Sequence, residues 1–277
     1  MKIGVSLPVR EMADDLESIV AFAQLAESLG FTHLRIPDQV IRPDSGHLRE
    51  PLTLLSYIAA VTSKIELVPS CIILPLRQTA LVAKQTAELD RLSGGRLRLG
   101  VGVGINETEY QAMGADFRTR GRNCDEQIQV LKRLWCEPQV TFNGRFHELQ
   151  NVGINPLPVQ RPIPIWIGAR AEPVQSVINR IAQLSDGWFV LATPEQFPAV
   201  SGAIAEAARE AGRDPSEIGT EAGVAVVGPR EAEWKNRVRN WRATGLTHLC
   251  LRTLGGDLGN QQHLDKLAEV ADQIPED

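Results

Sequence analysis

The chain has no Cys-x-x-Cys pair, no run of Lys and Arg, and no apolar stretch long enough to span a membrane. Each absence excludes something. Cys71, Cys124, Cys136 and Cys250 share no metal-like spacing with one another or with histidine, so they read as reduced thiols of a cytosolic protein. A net charge of −5 without a basic cluster argues against nucleic acid, since phosphate binding needs concentrated positive surface. No histidine and carboxylate pairing has ligand spacing, so no metal site is expected. The opening MKIGVSLP is too short for the apolar core of a secretory signal, and a cytoplasmic protein is expected. No repeat, charge run or flexible linker divides residues 1–277, which read as one domain.

What is present is a strict alternation of strand-like and helix-like segments. Strands are predicted at 2–7, 32–36, 65–68, 97–101, 163–167, 188–191, 222–227 and 248–251. The intervening helices are predicted at 13–29, from Glu50-Pro51 onward, at 78–92 and about 123–135, and at 172–184, 195–211, 230–243 and 261–273. Parallel strands need crossover helices, and eight such units close into an α/β fold of the (β/α)8 barrel type. The segment 139–149 breaks the rhythm. It has β-prone runs on either side of Asn143-Gly144, the signature of a hairpin with a type I′ turn inserted between strands four and five. An open doubly wound sheet is the competing architecture, but its Gly-x-Gly-x-x-Gly turn is missing after strand one, where SLPVREM stands.

In a barrel the chemistry sits at the C-terminal ends of the strands. Gly100, Gly102 and Gly104 alternate through strand four, while Ile105 and Glu107 stand where a dinucleotide motif would need its third glycine. These glycines serve either close packing or the close approach of a flat ring. Gly168, Ala169, Arg170 and Ala171 end strand five ahead of a helix, where exposed N–H groups and a guanidinium suit phosphate; a short loop with a solvated arginine fits equally. Asp38 follows strand two and could bond a ligand or cap a turn. His47 and His147 fall in loops and read as solvated, whereas His33 and His248 lie within strands and read as structural.

The run RQTALVAKQTAELDRLSGGRLRLGVGVG (77–104), with IPDQVIRP before it and PLPVQRPIPIWIGA after it, resembles the bacterial luciferase-like monooxygenase superfamily. NETEYQAMGADFRTRGRNCDE, VTFNGRFHE and LSDGW extend the resemblance to about residue 190. Within it, the chain is most similar to short members using the deazaflavin coenzyme F420. The resemblance implies a ring lying in the barrel mouth against a bulge that ends strand three. That bulge often holds a non-prolyl cis peptide, and it maps to Ser70, Cys71 and Ile72. It further implies Gly102 and Gly104 beside the ring, and Gly168, Ala169, Arg170 and Ala171 around the cofactor's phosphate. Asp38 matches the first member of an Asp-His pair. Here Gln39 replaces the histidine, and an amide cannot exchange a proton near neutral pH. Ile105 stands where many relatives carry tryptophan.

The expectation is hydride transfer between coenzyme F420 and a small organic substrate, with Asp38 and Gln39 bonding the ring's edge or the substrate. Glu107 is the nearest acid or base at the mouth, or else a carboxylate favouring a helix N-terminus. FMN is the alternative cofactor, in a monooxygenase supplied with reduced flavin by a separate reductase. A non-catalytic flavin-binding protein and a lyase or isomerase barrel are further alternatives. The resemblance also implies a homodimer.

Overall fold

The computed structural model describes residues 1–12, 15–41 and 48–275, and the alternation read from the sequence is realised there as a closed barrel. The strands are β1 (Lys2–Ser6), β2 (His33–Ile36), β3 (Glu66–Pro69), β4 (Ile72–Ile73), β5 (Leu99–Gly102), β6 (Val140–Asn143), β7 (Glu148–Val152), β8 (Ile165–Gly168), β9 (Gly187–Phe189), β10 (Gly219–Ala225) and β11 (His248–Arg252). All but β6 and β7 form one parallel sheet in the order β3-β2-β1-β11-β10-β9-β8-β5-β4. The Leu67 N–H donates to the Arg96 carbonyl at 2.8 Å, and the Arg98 N–H to the Leu67 carbonyl at 3.1 Å, closing the ring of strands. β3 and β4 are two halves of the third barrel strand, separated by a cis Ser70–Cys71 peptide.

Helices α1 (Leu16–Ser28), α2 (Pro51–Val61), α3 (Thr79–Leu92), α4 (Glu107–Ala112), α5 (Arg120–Cys136), α6 (Gln175–Leu184), α7 (Phe197–Glu210), α8 (Trp234–Ala243) and α9 (Asn260–Asp272) follow the strands. Except for the short α4, which sits at the barrel mouth, each buries residues against the barrel or its neighbouring helices. In α1 these are Ile19, Phe22, Ala23 and Ala26, at the three- and four-residue spacing that marked it in the sequence. Most boundaries fall within a few residues of expectation. α6 starts at Gln175 rather than 172, with Val174 still extended at its N-cap, and the short α4 was not foreseen.

The hairpin is present but its turn is not the two-residue one predicted. β6 and β7 are antiparallel, with Asn143 facing Glu148 across a four-residue loop, and Gly144 takes no left-handed φ. The cause is Glu126 on α5. Its carboxylate accepts from the N–H groups of Arg145 and Phe146, each at 2.8 Å, and stands 2.8 Å from His147 Nδ1. His147 Nε2 lies 2.6 Å from Thr79 Oγ1, so this histidine is tied on both sides and not solvated. A tertiary carboxylate has overridden the local turn preference.

The barrel interior is unlike the aliphatic layers usual in this architecture. Side chains that alternate inward include His33, Arg35, Trp166, Phe189, Glu221 and His248. Glycines make room for the large ones. A β-carbon on Gly187 would stand 2.6 Å from Trp166 Cδ2, and one on Gly219 2.7 Å from Trp166 Cη2. Arg98 stacks on the same indole at 4.2 Å, and His248 meets it edge-on at 4.9 Å. Gly187→Ala is therefore expected to cost about 1–3 kcal/mol by overpacking. Trp166→Leu added in the same chain should recover part of that loss. Urea unfolding of the two variants measures it, and a wild-type midpoint for Gly187→Ala would rule out the wedge.

Candidate active site

Over the C-terminal ends of β2, β4, β5 and β8 lies a cleft of about 990 Å3. Its floor is Cys71, Ile73, Gly102 and Gly168, with Gly104 at the edge. The three glycines are not equivalent. A β-carbon on Gly168 would stand 2.8 Å from Cys71 Sγ, and Gly104 has φ +62° with Ile73 2.9 Å from such a carbon. At Gly102 the one neighbour within 4 Å is Cys71 Cβ, at 3.4 Å, so the space above it is open cleft. Gly100, two residues earlier, is closed by the Pro69 carbonyl and by Phe189 at 2.8 Å. Packing explains Gly100. It does not explain Gly102, whose bare backbone faces the cleft.

Asp38 and Gln39 line the same cleft. Asp38 caps no turn. It accepts from the Ile73 N–H at 3.0 Å and from Arg77 Nη2 at 3.0 and 3.1 Å, which fastens the loop after β2 to the bulge after β3. Burial pulls the Asp38 carboxyl upward, against the opposing effects of Arg77 and the Ile73 N–H. Arg77 also bonds Glu50 at 2.8 Å, and Glu50 caps α2. Burial pushes the Cys71 thiol up to about 12, which disfavours the thiolate.

Of the loop after β8, Gly168, Ala169 and Arg170 line the cleft while Ala171 does not. Arg170 is exposed, and α6 begins five residues later, with Val174 at its N-cap and no side-chain cap on its first turn. Ile72 is fully buried with its side chain in the core, so the bulge reaches the cleft through Cys71 and Ile73. Glu107 is exposed on the first turn of α4, outside the cleft lining. The carboxylate of α4 that does line it is Glu109, which is buried and accepts from the N–H groups of Val40 at 2.7 Å and Ile41 at 3.1 Å. Tyr110, donating to the Val103 carbonyl at 2.6 Å, holds α4 over the end of β5. Glu109, Arg77 and Arg120 carried no sequence signal. A six-residue helix is too short to show a period, and the partners of Arg77 (Asp38 and Glu50) lie 39 and 27 residues away. His47 lies outside the described residues.

Ser70 faces the other way, into a second cleft of about 810 Å3 over the ends of β1, β9, β10 and β11. Its hydroxyl accepts from Arg35 Nε at 2.8 Å. Beneath lies Glu221, fully buried, bonded to Arg35 Nη1 at 2.9 Å and Arg98 Nη1 at 2.7 Å, with His33 Nε2 at 3.4 Å. Burial alone would raise its carboxyl, but His33, Arg35 and Arg98 together hold it well below the usual range. The strands also bring Cys250 to this point, so that His33, Glu221 and Cys250 offer ligand atoms within 4.8 Å of one another. The set does not suit a cation, since both Glu221 oxygens already serve guanidiniums and burial pushes the Cys250 thiol up to about 12. Among the described residues, no helix is long and apolar enough to cross a membrane.

A closed parallel barrel with a bare-backbone floor at its C-terminal mouth, next to a bulged third strand, is a frame that can receive a flat ring. The luciferase-like monooxygenase model matches residues 1–277, and the chain belongs to that family, an oxidoreductase of the luciferase-like class. It is 30% identical over 237 residues to the F420-dependent hydroxymycolic acid dehydrogenase of Mycobacterium tuberculosis, covering 83% of this chain and 64% of that one. The solved monooxygenase RslO1 from Streptomyces bottropensis superposes with a TM-score of 0.82 at 22% identity, over 98% of both chains. An F420-dependent secondary alcohol dehydrogenase, solved with an F420-acetone adduct, also superposes with a TM-score of 0.82, at 17% identity over 99% of both chains.

Proposed function

We propose that the chain transfers a hydride between the deazaflavin coenzyme F420 and a small organic substrate in the cleft over β4, β5 and β8. The observation that carries this reading is the open face of Gly102 between Cys71 and Gly168, a flat floor that any side chain would fill. When bound, a deazaflavin supplies two-electron hydride chemistry. The chain's own residues bind and orient. Cys71, Gly102 and Gly104 receive the ring, while the Gly168–Arg170 backbone and the Arg170 guanidinium meet its phosphate. Asp38 is committed to Arg77 and the Ile73 N–H, so it positions the bulge rather than moving a proton. Gln39 lines the cleft as a neutral hydrogen-bonding group. This arrangement suits a reaction that asks little proton transfer of residues 38 and 39. The F420-dependent dehydrogenases among the relatives support a deazaflavin, and the monooxygenases among them keep flavin as the second reading.

The test is titration of the purified chain with oxidised and reduced F420 and with FMN, followed by absorbance and fluorescence. F420 is expected to bind at least about tenfold more tightly than FMN, a difference of roughly 1.4 kcal/mol. Tighter FMN binding with oxygen-dependent product formation would replace this reading by a flavin monooxygenase. Binding of neither would end it.

A further inference from the structure

The second cleft carries a charge imbalance that the cofactor reading does not use. Arg252 is the last residue of β11, in register with Ser6 and Ala225, and so shares the inward face with Cys250. Its guanidinium lies over Gly223, where a β-carbon would stand 3.4 Å from Nε. Arg237 reaches across from α8, with Nη1 3.5 Å from the Ala225 carbonyl. Burial pulls Arg237 downward, and the positive charges of Arg230 and Arg252 beside it add to that. Arg10 lines the same cleft from the turn after β1. Among the described residues, no carboxylate lies within ion-pair distance of Arg10, Arg237 or Arg252. Of the carboxylates lining the cleft, Glu221 is engaged with Arg35 and Arg98, and Glu11 with His263 at 2.9 Å and the Gly255 N–H at 2.9 Å, while Glu195 is exposed to solvent and hydrogen-bonded to Thr193. Arg230 is balanced by Glu233 at 2.6 Å.

Arg237 and Arg252 repel one another with no carboxylate paired to either, Arg10 adds a third positive charge to the lining, and an anion bound there removes the repulsion. The facing wall is apolar, with Leu191, Ala192 and Leu254. Leu191, 68% exposed, lines both clefts, so a molecule passing it occupies the two together. We propose that the second cleft is an anion subsite, in which Arg252, Arg237 and Arg10 take the carboxylate, phosphate or sulfonate of an acidic substrate whose reacting carbon lies past Leu191 in the first cleft. As a statement about substrate it rests on the hydride-transfer reading above.

Inorganic phosphate is the probe, titrated into the full chain with and without saturating F420 and followed by phosphorus NMR. Saturable binding is expected, changed less than about twofold by the cofactor. Arg252→Met and Arg237→Met are each expected to weaken phosphate by about tenfold or more, the worth of one charge-assisted hydrogen bond, while F420 affinity stays within about twofold. Arg252→Lys should recover part of the phosphate affinity, and thermal melting establishes that each variant is folded. Displacement of phosphate by F420 would assign the arginines to the cofactor's own acidic tail and overturn the proposal. Unchanged phosphate binding in both Met variants would overturn it too. A chain that binds phosphate through Arg252 but binds no F420 would strike the cofactor reading and leave the anion subsite standing.

Discussion

Glu221→Gln is expected to lower the unfolding free energy by about 3–5 kcal/mol near neutral pH, the cost of breaking a buried ion pair from one side. Glu221 is 0% exposed and holds two guanidiniums, and Arg98 is itself only 3% exposed at its side chain. An amide keeps the shape but not the charge, and its NH2 group would have to face one of the two arginines. Arg35 has some access to water through the second cleft, whereas Arg98 keeps just Glu66, 2.8 Å from its Nε. The pH dependence carries a sign. A carboxyl held below its usual value of 4.5 stabilises the fold above that value and loses its contribution as pH falls through the folded-state pKa. The wild type should therefore lose stability on acidification below about pH 4.5, while Glu221→Gln, lacking that contribution, shows a shallower acid slope. Urea unfolding across the acid range measures both. An unchanged urea midpoint for the variant at neutral pH would show that the interior charges are solvated rather than paired.

Gly102→Val carries the second large effect, and it falls on binding instead of stability. Gly102 ends a strand with no positive φ, and the nearest atom to a side chain there is 3.4 Å away. The fold should tolerate the change to within about 1 kcal/mol. The valine would occupy the floor on which the proposed ring lies, and F420 affinity is expected to fall by about 100-fold or more, roughly 2.7 kcal/mol. Gly100→Ala is the control. Its β-carbon would meet the Pro69 carbonyl and Phe189, so it should lose stability first. If both variants melt early and alike, the two glycines share one packing role and the open floor is not a binding surface. Wild-type F420 affinity in Gly102→Val would also defeat the ring placement.

The two glycines mark where reading from sequence stops. Their alternation with Val101 and Val103 says that one face of the strand is bare, but not what stands opposite. Pro69 and Phe189 come from other strands, and only barrel closure brings them over Gly100 and leaves Gly102 free. The same holds for Asp38, whose partners Ile73 and Arg77 lie 35 and 39 residues away. It holds for Glu109 as well, which has no period to announce it and fixes a loop almost 70 residues earlier.

By itself, then, the sequence determined the barrel, because the two- and 3.6-residue periods are local and eight strand–helix units leave few ways to close. It also determined the bulge at Ser70–Ile72 and the loop at Gly168–Ala171 as places to look, through their family resemblance. Tertiary structure decided the rest. It replaced an Asn-Gly turn with a loop wrapped around Glu126, and it made Glu109 rather than Glu107 the carboxylate of α4 that lines the cleft. It gathered Glu221, Arg35 and Arg98 from three distant strand segments into one buried charge network. Electrostatic partners are chosen by proximity in space, and a chain of 277 residues encodes that proximity only through the fold.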